Sequence, residues 1–358
     1  MAVDLTGGID PERELAFARR PENPEMRDSV SFWVSDDVGT VGLPRVGIEA
    51  VAANWEAHGL QVNVAFGDGR AFRLRMDGPR WPAEDPSGHP TILGGGPLGF
   101  RCVDPFRVWT MTFDGTAVQT SAADLVAGRK DGPTVDVAFE IDATMAAPPW
   151  IQGSLLPEAK ALLEGSVEGD LMGGPRYEQL FRATGVVRVP GEAHAFTGSG
   201  LRIRRQGVRR LSGFWGHCWQ SALFPSGRAF GYIAYPPRPD GEPTFNEGYL
   251  FDGDGALIPA RVVEAPWLTK LQALGQDVSL LLETDAGPVR IDGETILSTY
   301  DIHHDDVTFS NQALAQEMPS FPALQQAGVR YRWEGEETYG MLERSYPLDK
   351  IDRSVSSP

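Results

Sequence analysis

Along most of this chain apolar and polar residues alternate one by one. "LQVNVAF" (Leu60–Phe66), "RAFRLRM" (Arg70–Met76), "RVWTMTF" (Arg107–Phe113), "TVDVAFEI" (Thr134–Ile141) and "GVVRVP" (Gly185–Pro190) all read this way. So do "RAFGYIAY" (Arg228–Tyr235), "VSLLLET" (Val278–Thr284) and "YGMLERSY" (Tyr339–Tyr346). A period of two predicts strands with one face inward and one outward. Asp-Gly pairs begin at Asp68, Asp77, Asp114, Asp131, Asp240, Asp252, Asp254 and Asp292, and this dipeptide supplies the positive backbone angles of tight hairpins. Helical spacing is confined to "PERELAFARR" near the start, "LPEAKALLEG" (Leu156–Gly165), "APWLTKLQALG" (Ala265–Gly275) and "NQALAQEM" (Asn311–Met318). The pattern predicts an all-β protein of two antiparallel β-barrel or sandwich domains packed together, with few helices. The polar, glycine-rich "SVEGDLMGGP" breaks it near mid-chain. The expected organisation is an extension over 1–26, a first domain over 27–155, a helix and linker over 156–175, a second domain over 176–348 and a tail over 349–358.

Charge narrows the partners. The 49 acidic against 32 basic residues give a net charge of −17, which repels phosphate backbones and excludes nucleic acid as a natural partner. No run approaches the roughly 18 to 20 apolar residues of a membrane span, and "MAVDLTGGIDPEREL" has no basic region leading into an apolar one. The reading is a soluble cytoplasmic protein with no membrane span, for which a homodimer remains open. Cys102 and Cys218 are too few for a disulfide framework and lack metal-type spacing.

Four segments carry a family resemblance: "GGPLGFRCVDPFRVWTMTFDG" (Gly95–Gly115), "RYEQLFRATGVVRVPGEAHAFTGSGLR" (Arg176–Arg202), "SGFWGHCW" (Ser212–Trp219) and "YGMLERSY". In this order they resemble the two-domain lipocalin-like proteins that include the AttH-like proteins and the carotenoid 1,2-hydratase relatives, over about Asp28 to Tyr346. The resemblance implies two calycin barrels with a hydrophobic cavity in or between them. It implies no single reaction, since such relatives span hydratases, cyclases and proteins without known activity. The family signature Asp-His-x-Trp-Gly corresponds to Ser212, Gly213, Phe214, Trp215 and Gly216. Only Trp215 and Gly216 match, so the motif histidine that serves the hydratases is missing.

Candidate chemistry gathers in two places. On one continuous strand Trp215, His217 and Trp219 share a face, while Phe214, Gly216, Cys218 and Gln220 take the other. An imidazole between two indoles is partly desolvated and neutral, fit to act as a base or to bind a ligand; a packed histidine bonded to a backbone carbonyl is the alternative. In "YDIHHDDVTF" (Tyr300–Phe309) an extended chain puts Asp301, His303 and Asp305 on one face. That arrangement suits a solvated loop, an oriented acid or base, or a metal site completed by ligands from elsewhere. Tyr177 and Glu178 open the second domain's first strand, and Glu343 and Arg344 lie in its last. First and last strands of such a barrel are neighbours, so Glu178 is expected near Arg344, as closure or as chemistry. Asp104, Arg107 and Trp109 pose the same choice in the first domain.

Other motifs fall away. "GGGPLGF" (Gly94–Phe100) has no following helix to hold phosphate. The loop from Asp252 has Val263 where a calcium loop needs glutamate, and Ser221 and Ser226 lack a GxSxG setting. The expected protein is a cofactor-independent acid/base enzyme, of hydratase, dehydratase, isomerase or cyclase type, acting on a hydrophobic isoprenoid, polyketide or aromatic molecule. Trp215, Trp219, Tyr232, Phe214, Tyr177 and Glu178 would line its site, and His217, or His303 with Asp301, would move the proton. A non-catalytic carrier of the same ligand is the alternative, and a metal-assisted enzyme using His303 ranks third. No metal or cofactor is expected.

Overall fold

The computed structural model describes residues 3–164, 169, 176–210, 214–238, 240–302 and 322–352. The alternating segments are strands. The first group is β1 (Met26–Asp36), β2 (Val41–Val51), β3 (Ala57–Phe66), β4 (Arg70–Pro79), β5 (Ile92–Gly95), β6 (Leu98–Asp104), β7 (Val108–Ser121), β8 (Thr134–Met145), β9 (Trp150–Ile151), β10 (Arg176–Val189) and β11 (Glu192–Val208). They form one antiparallel sheet in the order β4-β3-β2-β1-β11-β10-β8-β7, with β6 and β5 beyond β7 and β9 beside β10. The second half of β7 pairs with β4, from Arg70 opposite Ser121 to Arg73 opposite Val118, and turns the sheet into a ring. The second group is β12 (His217–Leu223), β13 (Ala229–Ala234), β14 (Asn246–Phe251), β15 (Ile258–Glu264), β16 (Leu280–Thr284), β17 (Gly287–Asp301), β18 (Ala323–Trp333) and β19 (Glu336–Tyr346). These close into an eight-stranded barrel through β12 and β19. The fold is all-β with two barrels, as the periodicity predicts.

The expected boundary at residue 176 does not match the sheets. β10 and β11 pair with β8 and β1, inside the first barrel, so the chain crosses to the second barrel after Val208. The reason is physical: a glycine-rich linker need not separate sheets when a later hairpin returns to pair beside the first strand. Helices are short, with α1 at Ala122–Val126 and α2 at Pro157–Leu163. Ala265–Gly275 is not helical, Pro11–Glu14 forms one 3₁₀ turn, and Asn311–Met318 lies outside the described residues. Asp68-Gly69, Asp240-Gly241, Asp252-Gly253 and Asp254-Gly255 fall in connections, with each glycine at positive φ. Asp77, Asp114 and Asp292 instead start pairs that lie within β4, β7 and β17, their side chains exposed, where strand pairing outweighs local turn preference.

Each barrel has its own apolar core, and a third cluster joins them: Trp33, Leu180, Leu201 and Ile203 from the first barrel meet Trp219, Ile233, Tyr249 and Met341 from the second. Alternation along β1 explains this. Val30, Phe32 and Val34 enter the first barrel's core, and Trp33 faces out toward the second barrel. Burying both faces of β1, β10, β11, β12 and β19 requires that outward polar residues find partners across the gap. Gln326 accepts from Gln61 at 2.7 Å and from Asn63 at 2.8 Å, and Asp301 takes Arg73 and Arg75. Glu247 of β14 collects Trp150 Nε1–H at 2.8 Å and the backbone N–H groups of Gly153, Leu155 and Leu156, fastening the start of α2.

The N-terminal segment is a plug. Glu14 is fully buried in the first barrel and accepts from Arg202 at 2.7 Å, from Trp109 Nε1 at 2.8 Å, from Tyr177 and from the Phe106 amide. Arg204 pairs with Asp28, and both Arg204 and Gln206 donate to the Leu15 carbonyl. This is the buried acid and arginine pairing that Asp104 and Arg107 had suggested for this domain. Those two side chains are instead exposed and 3.9 Å apart.

Candidate active site

The strand carrying His217 starts one residue after Gly216. Gly216 has φ +129, and a Cβ there would come within 2.5 Å of the Ser345 carbonyl oxygen. Only glycine fits both demands, which gives the matching Trp-Gly pair a structural reason. The turn also removes Trp215 from the expected row: its Nε1–H donates to Pro236 O at 3.0 Å, and its ring packs 5.4 Å from Tyr235. Phe214 takes the place beside His217, with ring centroids 5.5 Å apart.

From His217 onward the alternation is strict. His217 and Trp219 face the first barrel, while Cys218, Gln220 and Ala222 face the interior of the second. Tyr232 lies in that interior and donates to Gln220 at 2.7 Å, so the wall of its own barrel separates it from Trp219. Tyr177 is likewise inside the first barrel, bound to Glu14. Neither tyrosine shares the site to which the sequence assigned it. Burial pushes the Cys218 thiol up to about 11 and the Cys102 thiol up to about 12, so neither is a thiolate nucleophile.

Trp219 is the centre of the buried face between the barrels. Its Nε1–H donates to Glu178 Oε2 at 3.0 Å. Arg176 lies 4.7 Å over its ring and donates to Glu178 Oε1 at 2.8 Å, and Gln152 Nε2 donates to the same oxygen. Trp33 meets Trp219 edge to face at 4.7 Å. Burial is the main influence on Glu178, 1% exposed, and it pushes the carboxyl up to about 7 against the pull of Arg176, Trp219 and Gln152. A carboxyl that titrates near neutrality inside an aromatic setting is the usual environment of a working acid or base. Glu178 is not near Arg344, whose guanidinium binds Gln325, Gln276 and the Pro266 carbonyl inside the second barrel.

On the other side of Trp219, His217 Nδ1 is 2.7 Å from Ser345 Oγ, and Nε2 is 3.3 Å from Glu343 Oε1. A carboxylate only accepts, so Nε2 carries the imidazole proton and Nδ1 accepts from the Ser345 hydroxyl. Burial lowers the His217 pKa, against the opposing pull of Glu343, and keeps the ring neutral. Burial alone would raise Glu343, but Arg45 at 3.3 Å, His217 and Gln326 at 2.6 Å bring it down to about 2. The face thus holds two carboxyls with opposite fates, one poised to carry a proton and one fixed as an anion.

Asp301 stands apart from this pair of groups. Burial acts to raise its pKa, yet Arg73 and Arg75 overcome that and hold it ionised. Its geometry is that of a tie between barrels. His303 lies outside the described residues. Among the described residues no group of three His, Cys, Asp or Glu side chains is placed to hold a metal ion, and no helix is long and apolar enough to cross a membrane. Arg45, Trp33, Arg176, Gln152 and Ser345 were not singled out in the sequence, because each depends on pairing between strands distant along the chain.

Residues 10–347 match the family model described as a domain of unknown function, DUF7064. The chain belongs to the DUF7064 family. No curated protein matches its sequence. Among solved structures, this DUF7064 chain is similar to a Nitrosomonas europaea protein assigned to AttH, with 13% identity and a TM-score of 0.54, over 92% of this chain and 98% of that one. This likeness bears out the AttH-like, lipocalin-like fold read from the four sequence segments. Further similarities are to CghA with Sch210972, at 11% identity and a TM-score of 0.49 over 93% of this chain and 90% of that one. Kievitone hydratase from Nectria haematococca follows at 10% identity and a TM-score of 0.46, over 96% of each chain.

Proposed function

We propose that this protein is an acid/base enzyme, of the hydratase, dehydratase, isomerase or cyclase type, working on a hydrophobic small molecule at the Trp219 face between its barrels. The observation that carries the reading is the buried Glu178 carboxyl, shifted to about 7 beside Trp219, with the neutral His217, Ser345 and Glu343 relay on the same face. Glu178 acts as the proton donor. His217 acts as the base through the Ser345 hydroxyl, and the Glu343 anion stabilises the imidazolium that forms. Trp33, Trp219 and Phe214 offer apolar ring surface for a flat or aromatic body.

The test is turnover in heavy water of hydrophobic alcohols, enones and polyenes, with mass spectrometry of the products. Gain or loss of one water, or deuterium entering a carbon position, is the expected result. A panel recovered unchanged while still bound would instead favour the carrier reading. With an active substrate, His217→Ala is expected to lower kcat about a hundredfold. Binding should be retained, because Phe214 and Trp219 remain. Unchanged kcat would remove His217 from the mechanism.

A further inference from the structure

Several buried side-chain atoms around Trp219 have no hydrogen-bond partner among the described residues: Trp33 Nε1, Arg45 Nε, Gln152 Oε1 and Ser221 Oγ. Buried polar groups are nearly always bonded. Similar atoms occur elsewhere, at His58, Thr120 and Arg330 among others, but here two of them, Trp33 Nε1 and Arg45 Nε, are adjacent donors beside the proposed acid/base groups, which points to polar contacts supplied by a ligand. Their placement has a pattern. Trp33, 1% exposed, and Arg45 are both donors and stand together, with the guanidinium 5.5 Å from the indole centroid. Gln152 offers a carbonyl acceptor and is already bonded to Glu178. Donors therefore lie on one side of Trp219 and an acceptor lies beside the proposed acid.

Arg45 carries a second mark. Its φ is 80, in the left-handed region that a non-glycine residue rarely adopts. It sits where the β2 and β3 register breaks between Gly42 and Val46. That turn of the backbone directs the side chain across the gap to Glu343, which in turn binds His217. Strain of this kind persists where the surrounding structure holds it and clusters at ligand sites.

We propose, building on the acid/base reading above, that the substrate is a β-hydroxy carbonyl compound with an aromatic or otherwise apolar body, or the matching enone. Its carbonyl oxygen takes Trp33 Nε1–H and Arg45 Nε–H, and its hydroxyl lies between Glu178 and Gln152. In dehydration the C–H bond next to the carbonyl breaks. The proton passes through the Ser345 hydroxyl to His217, and the electron pair forms an enolate whose oxyanion the two donors hold. That pair then forms the carbon–carbon double bond as the carbon–hydroxyl bond breaks, and the departing oxygen takes the Glu178 proton and leaves as water. Solvent returns the proton from His217 to Glu178. Hydration of the enone is the reverse.

Calorimetry on the full chain with benzalacetone, and with butenylbenzene as the carbonyl-free analogue, tests the donor pair. Wild type is expected to bind the enone at least ~10-fold more tightly, the scale of about one well-made hydrogen bond. Trp33→Phe, which keeps an aromatic face and loses the N–H, is expected to bring the preference below ~3-fold, and Arg45→Met to do the same. Glu178→Gln is expected to keep it. Equal binding of the two probes, survival of the preference in both donor variants, or no binding of the enone overturns the proposal. Dehydration of benzalacetone hydrate, followed by enone absorbance, separates the two readings. A carbonyl preference without turnover sinks the acid/base function and leaves the donor pair, and turnover without the preference does the opposite.

Discussion

Glu178→Gln is expected to lower kcat by about 10²- to 10⁴-fold, the range for loss of a positioned acid, while the fold is kept. Glutamine has the same shape, and its one carbonyl oxygen can still accept from Arg176 and Gln152 where Glu178 Oε1 stood, leaving its amide NH2 toward Trp219 Nε1, but its amide cannot give up a proton at neutral pH. The pH dependence follows from the same group. Since Glu178 must be protonated to act as the donor, kcat falls as pH rises through about 7. Stability changes in the same direction. A folded-state pKa above the ordinary 4.5 means the folded chain holds the proton more tightly. The resulting stabilisation is full below 4.5 and is lost as pH rises through about 7, a change of about 3 kcal/mol. Across this window the stability of wild type measured by urea unfolding, relative to that of the Gln variant, should therefore fall as pH rises. A variant with wild-type turnover would remove Glu178 from the chemistry.

Glu14→Gln is expected to destabilise the protein by about 3–5 kcal/mol, because it leaves the Arg202 guanidinium buried without its anion. Both side chains are fully excluded from water, and Glu14 also serves Tyr177, Trp109 and the Phe106 amide. Burial raises the Glu14 pKa, but Arg202 and the hydrogen bonds outweigh it and leave the carboxyl below its ordinary value of 4.5. Its stabilisation is therefore present above 4.5 and is lost as pH falls through the lower folded value. Denaturant titration at neutral pH reads the effect. A loss under about 1 kcal/mol would mean that the N-terminal plug is not what holds the first barrel's polar interior.

Strands were legible in the sequence because a period of two survives whatever the strands pair with. What it could not decide was which face of a strand is the core. Every residue of β12 is buried, so the row of His217 and Trp219 and the row of Cys218 and Gln220 both look internal. Only the second barrel's closure puts the first row outside, against Trp33. Tyr232 and Tyr177 fall outside the site for that reason, since each lies one barrel wall away from Trp219. Glu178 was read as a candidate with the wrong neighbour, because β10 returns to the first sheet. Glu14 sits 188 positions from Arg202 along the chain, and its only sequence trace is an acid in a short N-terminal helical pattern. Gly216 was visible as part of a motif, but its necessity lies in a backbone angle and a carbonyl from β19.

The protonation of Glu178 is the most direct test of the inter-barrel site, and it needs no substrate. Infrared difference spectra of wild type against Glu178→Gln, recorded through a pH titration, isolate that one carboxyl band. A midpoint near 7, absent from the Gln variant, is the expected result. A midpoint at or below the ordinary 4.5 would contradict the assignment of Glu178 as the proton donor.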